Sequence, residues 1–116
     1  MSVPAQWEAT GVAVADVPAD GFMTLTVVGH RLILLQADGQ CVAYQDACPH
    51  EGFALSRHAE RQDFVIVCNK HLWEFDAATG EHISRLPKPH CNLRRYPVRE
   101  VDSKLEVDVS AWPAPA

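Results

Sequence analysis

Ala43-Tyr44-Gln45-Asp46-Ala47-Cys48-Pro49-His50-Glu51 and Cys68-Asn69-Lys70-His71-Leu72-Trp73-Glu74-Phe75 are the two stretches on which the reading of this 116-residue chain turns. Each carries one cysteine and one histidine within a tight loop. Seventeen residues, 51 to 67, separate the pairs, giving the pattern C-x-H-x17-C-x2-H. One thiolate and one imidazole from each of two loops is the donor set of a mixed-ligand [2Fe-2S] centre, with two sulfurs on one iron and two nitrogens on the other. Neutral imidazoles in place of two thiolates remove negative charge from the oxidised cluster, so an added electron meets less repulsion. The potential rises accordingly, from about −400 mV for all-cysteine plant-type clusters into a range of about −150 to +300 mV. Cys2His2 is also a zinc ligand set, usually with cysteine grouped with cysteine and histidine with histidine. Each close pair here mixes the two types, which favours the cluster and leaves structural zinc as the alternative. The C-x-x-C-H of an attached haem is absent.

Working outward, short apolar or alternating runs predict strands at Phe22 to Val28, Arg31 to Gln36, Cys41 to Gln45, Phe64 to Val67, Leu72 to Phe75 and Lys104 to Val109. Turn signals bound them: Val28-Gly29-His30, Ala37-Asp38-Gly39-Gln40 and Ala78-Thr79-Gly80. In the last run Leu105, Val107 and Val109 fall on one face, Glu106 and Asp108 on the other. No window sustains helical periodicity. The expected class is all-β, an antiparallel sandwich or small barrel, in one domain covering residues 1–116. The two Cys–His loops should form a cluster-binding subdomain at about residues 46–91, each loop following a strand that supports it.

A net charge of −5 argues against nucleic-acid binding, which calls for a clustered basic surface. No segment approaches the roughly 20 apolar residues of a membrane span, and the N-terminus lacks the basic region and apolar core of a signal peptide. A bacterial cytoplasm is the expected compartment. In such a reducing setting Cys41 and Cys91 are expected as free, small buried thiols. His30, His58, His82 and His90 sit outside any ligand spacing and are expected at the surface. The chain contains no P-loop, G-x-G-x-x-G or hydrolase elbow.

The two quoted stretches, with Thr79-Gly80 behind them, resemble the small Rieske ferredoxins of multicomponent toluene and alkene monooxygenases, and the likeness extends from about Val14 to Val109. The resemblance implies one [2Fe-2S] cluster per chain, held by Cys48, His50, Cys68 and His71. It also implies a function: one-electron transfer from an NADH-dependent flavin/iron–sulfur reductase to a di-iron hydroxylase, by a monomer that is not an enzyme on its own. The ferredoxin of an aromatic-ring-hydroxylating dioxygenase is the alternative within the family, and a non-redox zinc module the alternative outside it. Respiratory Rieske proteins add a disulfide between the cluster loops and a serine after the second histidine. This sequence has neither, since Leu72 and Trp73 follow His71. Fewer hydrogen bonds to the sulfides lower the potential, so a midpoint near the negative end of the range is expected. Trp73 is a candidate for partner docking, with a core position as the alternative. Leu86-Pro87-Lys88-Pro89-His90 resembles the proline loop that covers the cluster in Rieske proteins; an ordinary surface turn is the other reading of Pro87, Lys88 and Pro89.

Overall fold

Leu32, Ile33, Leu34 and Leu35 form an unbroken apolar run because the strand they build is covered on both faces. The computed structural model describes residues 4–49, 52–70, 72–84 and 91–112. Its strands are β1 (Trp7–Ala13), β2 (Met23–Val27), β3 (His30–Ala37), β4 (Gln40–Gln45), β5 (Ala59–Gln62), β6 (Val65–Cys68), β7 (Trp73–Asp76), β8 (Arg95–Tyr96), β9 (Val98–Val101) and β10 (Lys104–Asp108). One helical turn, α1 (Leu55–His58), precedes β5. Three antiparallel sheets result, in the orders β1-β10-β9, β2-β3-β4-β8 and β5-β6-β7.

The four-stranded sheet is the middle layer. Ile33 and Leu35 of β3 with Val42 and Tyr44 of β4 pack into one apolar cluster with Ile66 and Phe75 of the β5-β6-β7 sheet. Leu32, Leu34, Ala43 and Tyr96 point the other way and pack with Leu105, Val107 and Val109. Period-2 alternation thus sends successive side chains into two different cores. Each fully buried leucine or isoleucine there contributes about 1.5–3 kcal/mol. The architecture is the all-β antiparallel one expected.

All six expected strands are present, with ends shifted by at most one residue. The strands the sequence did not announce have physical reasons for being missed. β5 is Ala-Glu-Arg-Gln and offers no apolar face. β8 is two residues long. β1 is interrupted at Gly11 (φ +75°), where its register with β10 shifts between Ala9 and Ala13, as a bulge requires. β9 presents Arg99 outward, and its guanidinium pairs with Glu106 across the sheet at 2.7 Å.

Two expectations of exposure fail. His30 is only 6% exposed; its Nδ1 lies 3.0 Å from the Tyr96 hydroxyl, and the rings meet edge to face. His82 is 5% exposed and is sandwiched against Trp73 and Phe75. In both cases an aromatic neighbour distant in sequence supplies the cover. Asp108, expected on the polar face of β10, is buried instead. Its Oδ1 accepts hydrogen bonds from the backbone of Gln6 (2.9 Å) and from the backbone and hydroxyl of Ser110 (2.9 and 2.7 Å). These bonds, led by the Ser110 hydroxyl, hold its carboxyl below the usual carboxylate range. Cys41 and Cys91 are unbridged but half-buried, not buried. Burial and then the Glu100 carboxylate push the Cys41 thiol up, which leaves it a poor nucleophile or ligand. His58 is half-buried, and His90 lies outside the described residues.

Candidate metal centre

Cys68 is the last residue of β6 and pairs with Trp73, the first residue of β7, so the turn between them spans residues 69 to 72. His71 falls between them in the sequence and lies outside the described residues. Leu72 closes the turn with φ +55°, a left-handed conformation that a bulky residue seldom adopts, and its side chain is 69% exposed. The Asn69 N–H donates to the carbonyl of His58 at 2.7 Å, which ties the start of the turn to the end of α1.

Cys48 follows β4 after two residues of bend. Its backbone N–H donates to Phe53 O, and its carbonyl accepts from Gly52 N, both at 2.7 Å. The segment 48–53 therefore closes on itself with Gly52 at φ +78°, a conformation that glycine adopts without penalty. His50 and Glu51 lie outside the described residues. The two loops approach each other through side chains. The Lys70 ammonium lies 4.9 Å from the centre of the Phe53 ring, and Phe53 meets His58 edge to face at 5.4 Å.

The structure brings the two cysteines into one environment. Cys48 is 2% exposed and Cys68 1%, and both belong to the apolar cluster that joins the middle sheet to β5-β6-β7. Two thiols from two separate loops, shielded from water in a common apolar pocket, suit the sulfur half of a mixed-ligand centre. A carbonyl–hydroxyl tie runs through the same cluster. The Tyr44 hydroxyl donates to Ala77 O at 2.7 Å, linking β4 to the turn after β7. Burial pushes the Tyr44 hydroxyl far above its ordinary value, so it remains a donor at any physiological pH.

Trp73 is half-buried. It packs against the same cluster and stacks on His82, with ring centroids 4.3 Å apart and planes 12° from parallel. As expected from strand alternation, Trp73 and Phe75 share a face, both touching His82, while Glu74 is exposed on the other. The larger exposed apolar surface beside the second Cys–His pair belongs to Leu72. Sequence reasoning did not single it out, because a lone leucine carries no signal until the turn geometry is known. Pro87, Lys88 and Pro89, the expected cluster-covering loop, lie outside the described residues. Among the described residues no helix is long and apolar enough to cross a membrane.

Comparison with known proteins places these features. Residues 8–102 match the Rieske [2Fe-2S] domain. Over 107 residues the chain is 28% identical to the ferredoxin component of the alkene monooxygenase system of Xanthobacter autotrophicus, covering 91% of this chain and 85% of that relative. Over 85 residues it is 33% identical to the ferredoxin component of the p-cumate 2,3-dioxygenase system of Pseudomonas putida, covering 73% of this chain and 70% of that relative. Among solved structures, a chain of the fluorene-bound oxygenase and ferredoxin complex of carbazole 1,9a-dioxygenase superposes with a TM-score of 0.75 at 23% identity. That match covers 90% of this chain and 29% of the other, under a third of its length, and it shows a shared fold.

Proposed function

Because this chain belongs to the Rieske [2Fe-2S] domain family, we propose that it is a ferredoxin: a one-electron carrier that serves an oxygenase and catalyses no reaction of its own. The observation that carries the proposal is the pair of water-excluded cysteines, Cys48 and Cys68, delivered by two different loops to one apolar pocket. In this reading Cys48 and Cys68 hold one iron, and His50 and His71 the other, one cluster per chain, within a loop subdomain at about residues 46–91. The cluster supplies reversible acceptance of a single electron. The protein's own part is to keep the sulfurs dry, to fix the loops on β4 and β6, and to present the histidine side to a partner. Four protein ligands, with the two sulfides that would bridge the irons, would fill the coordination of two tetrahedral irons and leave no position for substrate or oxygen.

Electrons would come from an NADH-dependent flavin/iron–sulfur reductase and pass to the di-iron hydroxylase of an aromatic or alkene monooxygenase. Trp73 and Leu72, beside the second ligand pair, are the residues we assign to partner docking, and Pro87, Lys88 and Pro89 to the cover over the cluster. The carrier works as a monomer in the bacterial cytoplasm. Similarity to the alkene monooxygenase ferredoxin over 107 residues supports this partner. A ring-hydroxylating dioxygenase is the second reading, favoured by the higher identity to the p-cumate system ferredoxin over a shorter span. Reconstitution decides between them. With a common reductase, the protein is mixed in turn with a di-iron hydroxylase and with a ring dioxygenase, and product is measured against NADH consumed. Coupled turnover with the hydroxylase is the expected result; turnover with the dioxygenase alone overturns the assignment of partner.

A further inference from the structure

Asp46 lies two residues before Cys48, and it is buried. Its backbone N–H donates to Arg31 O at 2.8 Å, fixing it to the start of β3. Both carboxylate oxygens are engaged by one residue ten positions away: Oδ1 accepts from the Ser56 backbone N–H at 2.8 Å, and Oδ2 from the Ser56 hydroxyl at 2.7 Å. Ser56 sits in α1 directly after Leu55, which is fully buried in the cluster that holds Cys48 and Cys68. Arg31 and Arg57 line the solvent side of the same recess, with Thr24 and Thr26 beside them.

We propose that Asp46 and Ser56 are positioning residues that clamp the first ligand loop, so that Cys48 is held in place by the protein rather than by the metal. This rests on the ferredoxin reading above. Between residues 46 and 56 the chain makes a loop that is locked internally by the Cys48–Phe53 and Gly52–Cys48 backbone bonds. Those two bonds fix the shape of the loop but not its attachment to the sheet. The attachment comes from the Asp46–Ser56 pair at the neck, anchored through Arg31 on one side and Leu55 on the other. A two-point carboxylate contact fixes orientation as well as distance. Stabilising the protein side of a metal site before metal arrives is what keeps ligands at productive geometry.

The test uses the purified, coloured protein and three variants: Asp46→Asn, which keeps the shape but loses one acceptor; Ser56→Ala, which keeps the backbone bond but loses the hydroxyl; and Ser56→Thr, which retains both donors. Cluster loss is followed by bleaching of the visible absorbance under excess chelator. Hydrogen exchange of individual amides is read in parallel. Breaking one part-buried hydrogen bond to a carboxylate should accelerate cluster loss about tenfold. The amides of Cys48, Gly52 and Ser56 should lose protection, while those of β3 keep theirs. Ser56→Thr should restore the wild-type rate. The proposal is overturned if cluster loss is unchanged in Asp46→Asn and Ser56→Ala, or if protection falls equally across β3 and the loop, which marks a fold-wide effect. A wild-type protein that carries no cluster would refute the ferredoxin reading instead; exchange at Gly52 and Ser56 in that protein would still report on the clamp.

Discussion

Gly80 ends the turn after β7 at φ +80°, and an ideal Cβ placed there would lie 2.8 Å from Tyr44 Cε1 and 3.3 Å from Leu93 Cβ. Gly80→Ala therefore meets two penalties. The left-handed backbone costs an L-residue about 1–2 kcal/mol. The contact is with a ring that cannot retreat, because Tyr44 is fully buried and its hydroxyl is held by Ala77 O; such overpacking costs about 1–3 kcal/mol more. Gly39 provides the control. It has a similar φ of +75° in the β3–β4 turn, but nothing lies within 4 Å of its would-be Cβ. Gly39→Ala should thus lose only the backbone part. Urea unfolding of both variants and the wild type, followed by far-UV circular dichroism, isolates the difference. Gly80→Ala should unfold at a urea concentration lower than Gly39→Ala by roughly 1 M, given a slope of about 1–3 kcal/mol per M. Equal losses in the two variants would refute the claim that the Tyr44 ring is wedged against this turn.

Further outcomes follow from individual contacts. Tyr44→Phe removes the donor to Ala77 O and leaves a buried carbonyl unpaired, so it should cost about 1–3 kcal/mol in the same urea assay while the visible spectrum stays unchanged. The Asp108 carboxyl, held low by Ser110 and Gln6, contributes stability that is fully present above the ordinary carboxylate pKa and is lost as pH falls through its lower folded value. Asp108→Asn should therefore flatten the decline in stability below about pH 4, measured as melting temperature against pH. Trp73→Ala should slow electron delivery to the oxygenase in stopped-flow mixing with the cluster spectrum intact. Since Trp73 is half-buried against His82, its stability cost should fall below the about 3–5 kcal/mol of a fully buried tryptophan.

What the sequence made legible depended on whether a residue's role was local. β10 announced itself because Leu105 and Val107 face one core, while the charged residue between them faces Arg99. The Cys–His pairs stood out for the same reason: residues proposed to share a metal come as close pairs in a loop, and that spacing is visible as a pattern. His30 and His82 were misread because their burial depends on Tyr96 and on Trp73 and Phe75, which reach them only after the sheets form. The Asp46–Ser56 contact was invisible for a related reason. An aspartate and a serine ten positions apart have no periodicity, and only the path of the loop brings them together. The helical turn α1 is four residues long, too short to leave a helical pattern.

A spectroelectrochemical titration of the purified protein, with paramagnetic resonance of the reduced form, reads the proposed cluster and its potential together. The expected result is a coloured protein with one reversible one-electron wave near the negative end of the Rieske range of about −150 to +300 mV, as follows without a loop disulfide or a hydroxyl on the sulfides. The wave and the colour should both disappear in Cys48→Ser and Cys68→Ser. A colourless protein with no wave would contradict the cluster itself, and a strongly positive midpoint would contradict the reasoning that ties Leu72 and Trp73 to a low potential.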